Sequence, residues 1–325
     1  MKILVTGATG FLGSNLCERL VKQGNSVRAL VRNPKKTKLL KTIGIEIAKG
    51  DLRDFHSLKK AIKGIDIVYN IAAAWRDNLR KEELFGTNVD GTRNILEAAY
   101  QEGVKRFVHC STVGVHGSVL EPPANENSPF LPRDDYQVSK VKGERIVSEY
   151  IRENKLPIVI FRPCGIYGPT DTRFLKLFRA IKKHYFFMIG SGDVQYHMIY
   201  IDDLIDGILL CGEKDEAIGN VYILGSEEIS TIKELVSTIS DIMGVRTPKF
   251  SLPFLPIYYL AKICEFVFKP LPINPPIYER RINFFISNRA FDISKAKKEL
   301  GFQPRTDLRT GVIKTYEWYK RSGLL

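Results

Sequence analysis

The chain is poor in cysteine and has no unbroken hydrophobic run. Its five cysteines (Cys17, Cys110, Cys164, Cys211, Cys264) are odd in number and include no CxxC pair, which argues against a disulfide framework and a cysteine zinc site. The greasiest stretch, 252–268, is interrupted by Pro253, Pro256, Lys262 and Glu265, so no segment reads as a membrane span. No cleavable signal precedes the first strand, and no repeat or low-complexity segment is evident. A reduced, cytoplasmic protein is the expectation. Acidic charge is in deficit: 49 Lys and Arg face 36 Asp and Glu, a formal net charge of +13. Such a surplus can mark binding to nucleic acid or an anionic membrane. The cations, however, are scattered in groups such as Lys35, Lys36, Lys38 and Lys41, or Lys295, Lys297 and Lys298, at the spacing of solvated helix faces. Nucleic acid is therefore not expected as a partner; an anionic small substrate or plain solubility accounts for the charge.

What is present is ordinary globular composition. The 325 residues, 44% hydrophobic and 26% charged, suit about two structural units with enough core to need no staple. Strands are expected at 2–6, 26–31, 45–48, 65–71, 106–110 and 157–161, alternating with helices that include 14–23, 81–102 and 136–153. Near-continuous apolar strands alternating with helices predict a parallel sheet covered on both faces, a Rossmann-type doubly wound α/β fold. After Arg162-Pro163 the texture changes. Prolines cluster at 248, 253, 256, 270, 272, 275 and 276, and aromatics are dense over 250–285. Residues 198–201 and 221–224 look like strands returning to the sheet. The segment 252–268 reads as a core or lid helix, with a membrane-surface contact as the alternative.

Residues 7–13, GATGFLG, fall between the first strand and first helix. Gly7, Gly10 and Gly13 would supply a tight turn, close backbone approach to a pyrophosphate, and helix-on-strand packing. The helix N-terminus would offer N–H groups to the phosphates, so Thr9, Phe11 and Leu12 join the cofactor-binding candidates. The expected division is a dinucleotide-binding domain over 1–168, with returning pieces near 196–225, and a smaller, mostly C-terminal substrate-binding domain from 169–195 and 226–325. A ligand would sit between them. An acid at the end of strand two would hold an NAD ribose; here the strand ends in Arg32, with Arg28 nearby. Arginine suits a 2′-phosphate, so NADP is favoured over NAD, unless Arg32 is only a solvated residue. Asp51 and Leu52 could flank the adenine, or Asp51 could cap a helix.

Tyr136 and Lys140 share one face of a predicted helix, where an ammonium favours a phenolate and suits the tyrosine to acid–base work. The spacing alone decides nothing, because Tyr258 and Tyr316 also have lysine at +4. Context separates them. Tyr136 opens the helix after strand five, which ends at Ser111-Thr112, placing these hydroxyls at the carboxyl edge of the sheet; the other two tyrosines read as packing residues.

Seven motifs then occur in order: GATGFLG, GDLRD at 50–54, NVDGTRNILEAA at 88–99, HCSTVGVHG at 109–117, YQVSK at 136–140, RPCGIYGP at 162–169 and YIDDL at 200–204. With the tail DISKAKKELGFQPRTDL at 292–308, the chain resembles an extended short-chain dehydrogenase/reductase of the NAD-dependent epimerase/dehydratase family over nearly its whole length. The resemblance implies bound NAD(P), Tyr136 as general acid/base, Lys140 on the nicotinamide ribose, and Thr112 as the catalytic hydroxyl with Ser111 one position earlier. It implies hydride transfer at a secondary alcohol or ketone carbon. Ala72 and Ala73 would lie beside the cofactor, Pro163, Gly165 and Ile166 would line the nicotinamide side, and Asn88 would order the catalytic region or only cap a junction. It also implies a homodimer through the helices at 81–102 and 136–153.

Within the family, sugar 4,6-dehydratases carry Asp-Glu after the catalytic threonine. Val113-Gly114 stands here instead, against a dehydratase. Epimerases show Arg-x-Gly-Asp before the tail motif, whereas Arg280-Arg281 is followed by Ile282-Asn283-Phe284. Arg173, Arg179 or Arg280 could still clamp a diphosphate. The strand-two sequence VRALVR resembles the dihydroflavonol-reductase branch, and ISNRAFDISKA at 286–296 loosely echoes the sterol dehydrogenases. Three readings stay open: an epimerase or reductase on a nucleotide sugar, a 3β-hydroxysteroid- or dihydroflavonol-reductase-type enzyme on a hydrophobic alcohol or ketone, and a non-catalytic NAD(P)-sensing regulator.

Overall fold

The computed structural model describes residues 1–75, 79–248, 250–268, 277 and 282–325. Its first part runs β1 Lys2–Thr6, α1 Phe11–Lys22, β2 Ser26–Val31, α2 Lys38–Thr42, β3 Glu46–Lys49, α3 Phe55–Ile62, β4 Ile67–Asn70, α4 Lys81–Phe85, α5 Gly91–Gln101, β5 Arg106–Cys110, α6 Asp135–Arg152 and β6 Ile158–Pro163. The remainder comprises β7 Gly165–Tyr167, α7 Leu175–Lys182, β8 Met188–Ile189, β9 Gln195–Tyr196, β10 Met198–Tyr200, α8 Ile201–Glu213, β11 Val221–Leu224, β12 Ser230–Thr231, α9 Ile232–Met243, β13 Ser251–Leu252, α10 Phe254–Phe268, α11 Ser294–Leu300 and α12 Leu308–Arg321.

Seven parallel strands form the main sheet in the order β11-β6-β5-β4-β1-β2-β3. Alternate residues of a strand point to opposite faces, and both faces are covered: Ile3 and Val5 enter a core with α1, α8 and α12, while Leu4 enters another with α3, α5 and α6. This is the Rossmann-type doubly wound fold, and a smaller C-terminal part packs beside it. Strand order reverses between β1 and β4, and the crevice expected beyond the carboxyl ends at such a point is where ligands bind in sheets of this kind.

Three expectations change. Residues 198–201 do not rejoin the main sheet; β10 pairs with β7 in a separate ladder, and only 221–224 returns, as the edge strand β11. The helix expected over 81–102 is interrupted by a π-turn at Gly86–Asp90, where the Asn88 side chain makes contacts outside its own helix. The segment 252–268 is not a core helix: Ala261 alone of α10 is fully buried.

Candidate active site

The glycine turn is built by close contacts. Gly7 has φ +69, and a Cβ there would stand 2.9 Å from Ala72 Cα; one on Gly13 would lie 2.3 Å from the Gly7 carbonyl oxygen. The Gly10 N–H donates to that carbonyl at 2.9 Å. α1 begins at Phe11, earlier than the expected residue 14, with neither a side-chain cap nor an acid in its first turn. The turn thus combines a backbone surface free of side chains with the positive end of a helix, which fits a pyrophosphate. Thr9 is exposed, Phe11 half-buried and Leu12 buried.

The two arginines of this region, in and just after β2, differ. Arg28 is held by Glu46 at 2.8 Å and by the carbonyls of Ala61 and Lys63 at 2.8 and 3.0 Å. Arg32 is an exposed residue just beyond the strand. Asp51 accepts from the Arg53 backbone and guanidinium, and chiefly through that side-chain bond its carboxyl is held below the usual range. The helix cap is Asp54, which accepts from the His56 and Ser57 N–H groups. Leu52 is buried under Gly91, and its carbonyl accepts from Asn94 at 3.0 Å.

Behind the crevice runs a buried polar chain. The Ala72 N–H donates to Thr6 Oγ1, the Thr6 hydroxyl to Asn70 Oδ1, and Asn70 Nδ2 to His109 Nδ1. Burial holds His109 well below the ordinary histidine value. Asn88 ties two parts of the site together. Its amide pairs with both the N–H and the carbonyl of Ala74, each at 2.8 Å, and donates to Ser139 Oγ on α6 at 2.9 Å. It therefore joins the loop after β4 to the helix that carries Tyr136.

α6 is started by Asp134, which accepts from the Gln137 N–H at 2.8 Å, and this places Tyr136 in the first turn. Lys140 is buried and donates to the Cys110 carbonyl at 2.7 Å; burial pushes its ammonium below the usual lysine value. That bond fixes α6 against the end of β5, where Ser111 and Thr112 follow. The two hydroxyls differ. Ser111 donates to the buried Glu144, whereas Thr112 Oγ1 accepts from the Gly114 N–H at 3.0 Å and keeps its own hydrogen for another acceptor. At the other two tyrosine–lysine pairs the ammonium lies over the ring, 4.7 Å from the Tyr258 centroid and 5.5 Å from that of Tyr316, a packing arrangement.

Glu144, which lies outside the sequence motifs, anchors a buried network. It pairs with Arg162 of β6, whose guanidinium also meets His116 Nε2 at 3.1 Å, the Glu126 carbonyl at 2.9 Å and the Phe130 ring at 4.9 Å. A signal existed: Glu144 continues the four-residue ladder of Tyr136 and Lys140, and Arg162 is a charge at the end of an otherwise apolar strand, which burial permits only if paired. Beyond β6, a Cβ on Gly165 would lie 2.6 Å from the Tyr196 hydroxyl, so Tyr196 covers this backbone. Arg173 donates to the neighbouring Ile166 carbonyl at 3.0 Å and is gripped by Asp171 at 2.9 Å, with its guanidinium 5.4 Å from the Phe11 ring. Arg179 donates to the Leu324 carbonyl. Both proposed clamps are thus held by the chain itself, and Arg280 lies outside the described residues.

The model of the NAD dependent epimerase/dehydratase family matches residues 3–225, and the chain belongs to that family of enzymes. "Sterol demethylase protein B" of Methylococcus capsulatus is 30% identical over 100% of both chains. The 3beta-hydroxysteroid-dehydrogenase/decarboxylase isoform 1 of Arabidopsis thaliana is 27% identical over 97% of this chain and 78% of its own. Among solved structures, UDP-glucuronic acid 4-epimerase of Bacillus cereus in complex with NAD superposes with a TM-score of 0.78, 27% identity and 99% coverage of both chains. MoeE5 in complex with UDP-glucose and NAD gives 0.78, 26% and the same coverage. The cofactor in these structures is NAD, which overturns the preference for NADP. At β2 the physical difference is that Arg28 is committed to Glu46 and the end of α3 and so is not free for a 2′-phosphate, while the exposed Arg32 does not by its position alone select one. Among the described residues no helix is long and apolar enough to cross a membrane.

Proposed function

We propose that the chain catalyses reversible hydride transfer at a secondary alcohol or ketone carbon, with Tyr136 as the acid–base group. The observation that supports this reading is the Lys140–Cys110 bond, which holds the helix that carries Tyr136 against the end of β5, two residues before Thr112. Gly7, Gly10 and Gly13, with Phe11, Ala72 and Ala73, would hold the dinucleotide, and Gly165 and Ile166 its nicotinamide end. NAD bound there supplies a reversible hydride acceptor. Thr112 donates its hydroxyl hydrogen to the substrate oxygen. Tyr136 takes the substrate hydroxyl proton during oxidation and returns it during reduction. Arg173 places positive charge near the phenol, Lys140 would add to it from one helical turn further along α6, and charge of that sign favours the deprotonated form. Residues 169–195 and 226–325 would furnish the substrate side, and α5 and α6 would pair with a second copy to form a dimer, which light scattering checks.

For the substrate, a nucleotide sugar is the reading supported by the solved structures with UDP-sugars. A specific observation favours a second reading, a hydrophobic alcohol or ketone. Arg173 and Arg179 are already engaged by Asp171 and Leu324, and relatives matched over 97% or more of this chain are named for sterol chemistry. Mass spectrometry of nucleotide released on denaturing fresh protein separates the two. Near-stoichiometric retained NAD, with turnover of UDP-sugars, supports an epimerase, which must return the hydride it takes. Empty protein that reduces sterol-like ketones but not UDP-sugars supports the second reading, and neither activity would remove both.

A further inference from the structure

We propose that the outward face of α10, with the adjoining Phe187–Phe250 edge, docks this protein onto an anionic lipid surface. α10 is apolar almost all round, a composition that suits a helix enclosed by protein or lipid. Among the described residues, protein covers one side only: Ala261 packs with Ile189 and Ile282, and Phe254, Ile257 and Tyr258 lie against that cluster. On the other side Leu255, Tyr259, Ile263 and Phe266 are 62%, 59%, 60% and 81% exposed, and Leu260 and Val267 extend the same face. At 3.6 residues per turn these six span an arc of roughly 140°. The β8–β13 pair carries the patch onward. Met188 donates to the Phe250 carbonyl, which sets Phe187 beside Phe250 at the start of the helix, and both rings are exposed, as is Tyr185.

Charge selects the occupant. Lys182 and Lys183 are exposed at the end of α7, directly before this aromatic edge, Lys262 is exposed on the flank of α10, and the whole chain carries +13. An exposed apolar helix face, aromatic residues and a cationic margin together match the interface of a membrane with negative headgroups. The contact would lie in the membrane plane and cross nothing. It is independent of the substrate reading, because it is measured without substrate.

The test is flotation of the full chain with vesicles of phosphatidylcholine alone or mixed with phosphatidylglycerol. The chain is expected to float with the mixed vesicles. Ile263→Asp with Phe266→Asp should lower the bound fraction about tenfold or more, with thermal unfolding and bound NAD unchanged. Lys182→Gln with Lys183→Gln should lower binding to the mixed vesicles by on the order of tenfold and leave weak binding to neutral ones unaltered. Absence of flotation, or flotation that all four substitutions leave intact, overturns the proposal. So does light scattering that shows a dimer which Ile263→Asp with Phe266→Asp dissociates, since a second copy would then cover this face.

Discussion

The carboxyl edge of the sheet and the helix α10 use unlike residues in opposite ways. Around the sheet edge, polar and charged groups are buried and nearly all engaged: Thr6, Asn70, Ser111, Glu144 and Arg162 each meet a named partner. Along α10, apolar groups are exposed and covered by nothing among the described residues on one side. Burying a charge is tolerable only when it is paired, and pairing fixes direction and distance. The first region is therefore rigidly held, as the site proposed for Tyr136, Lys140 and Thr112 requires. The second has no such constraint, and its apolar side chains contribute little to folding because folding does not remove them from water.

The sharpest way to break this comparison is at the tyrosines. Tyr136→Phe should lower turnover by about 10²–10⁴-fold, the range for removing a general acid–base group, while bound NAD is retained. Tyr258→Phe, at the same +4 lysine spacing on α10, should leave turnover within about twofold, as a packing residue away from the site. Equal losses in the two variants would mean that context does not distinguish the pairs. A stability counterpart lies one turn beyond Lys140. Glu144→Gln leaves the Arg162 charge buried without its carboxylate, a loss of about 3–5 kcal/mol in denaturant unfolding. If that variant melts like the parent, the Arg162 charge is being met by groups other than Glu144.

How much of this was legible follows from the kind of signal involved. The parallel sheet was visible because each strand is a short apolar run, and β1 to β6 lie close to their expected ranges. The glycine turn was visible because close backbone approach admits no other residue. The break at Gly86–Asp90 was not, since a π-turn preserves helical composition and its cause, Asn88 bonded to Ala74 and Ser139, spans 51 positions to the latter. The arginines misled for a related reason. Their positions at β2 are readable, but that Arg28 is committed to Glu46 depends on a strand 18 residues away, and a lone exposed arginine such as Arg32 does not select a cofactor. The fate of 198–201 was lost because strand character does not name the strand it pairs with. The choice between Ser111 and Thr112 likewise turns on Glu144, which enters from another element.

Acid offers a smaller test of the buried edge. His109, His116 and His197 are all held below the ordinary value of about 6.5, in each case mainly by burial. As pH falls below that value the unfolded chain takes up protons that the folded chain refuses. Stability is thus full above about pH 6.5 and is lost below it, by up to about 1.4 kcal/mol per pH unit for each histidine. Glu126, whose carboxyl burial raises, acts in the opposite sense just above the usual carboxylate range. Urea unfolding at pH 7 and at successive steps down to 5.5 should show the decline, and His109→Asn should flatten it by one proton's share. A flat profile in the parent would contradict burial as the cause.

The smallest effect is expected on α10, and it closes the contrast. Ile263→Ser replaces an exposed β-branched residue by a small polar one, so the apolar area returned to water on unfolding is hardly altered. The expected change in stability is within about 0.5 kcal/mol, typical of surface substitutions. Ile239→Ala in α9, an isoleucine with no exposed surface, should instead lose about 2–5 kcal/mol through lost burial and the cavity left behind. Paired denaturation curves at one pH decide it. A loss at Ile263 comparable with that at Ile239 would mean that protein already covers this face in solution, and the row of apolar side chains on α10 would then be a core helix after all.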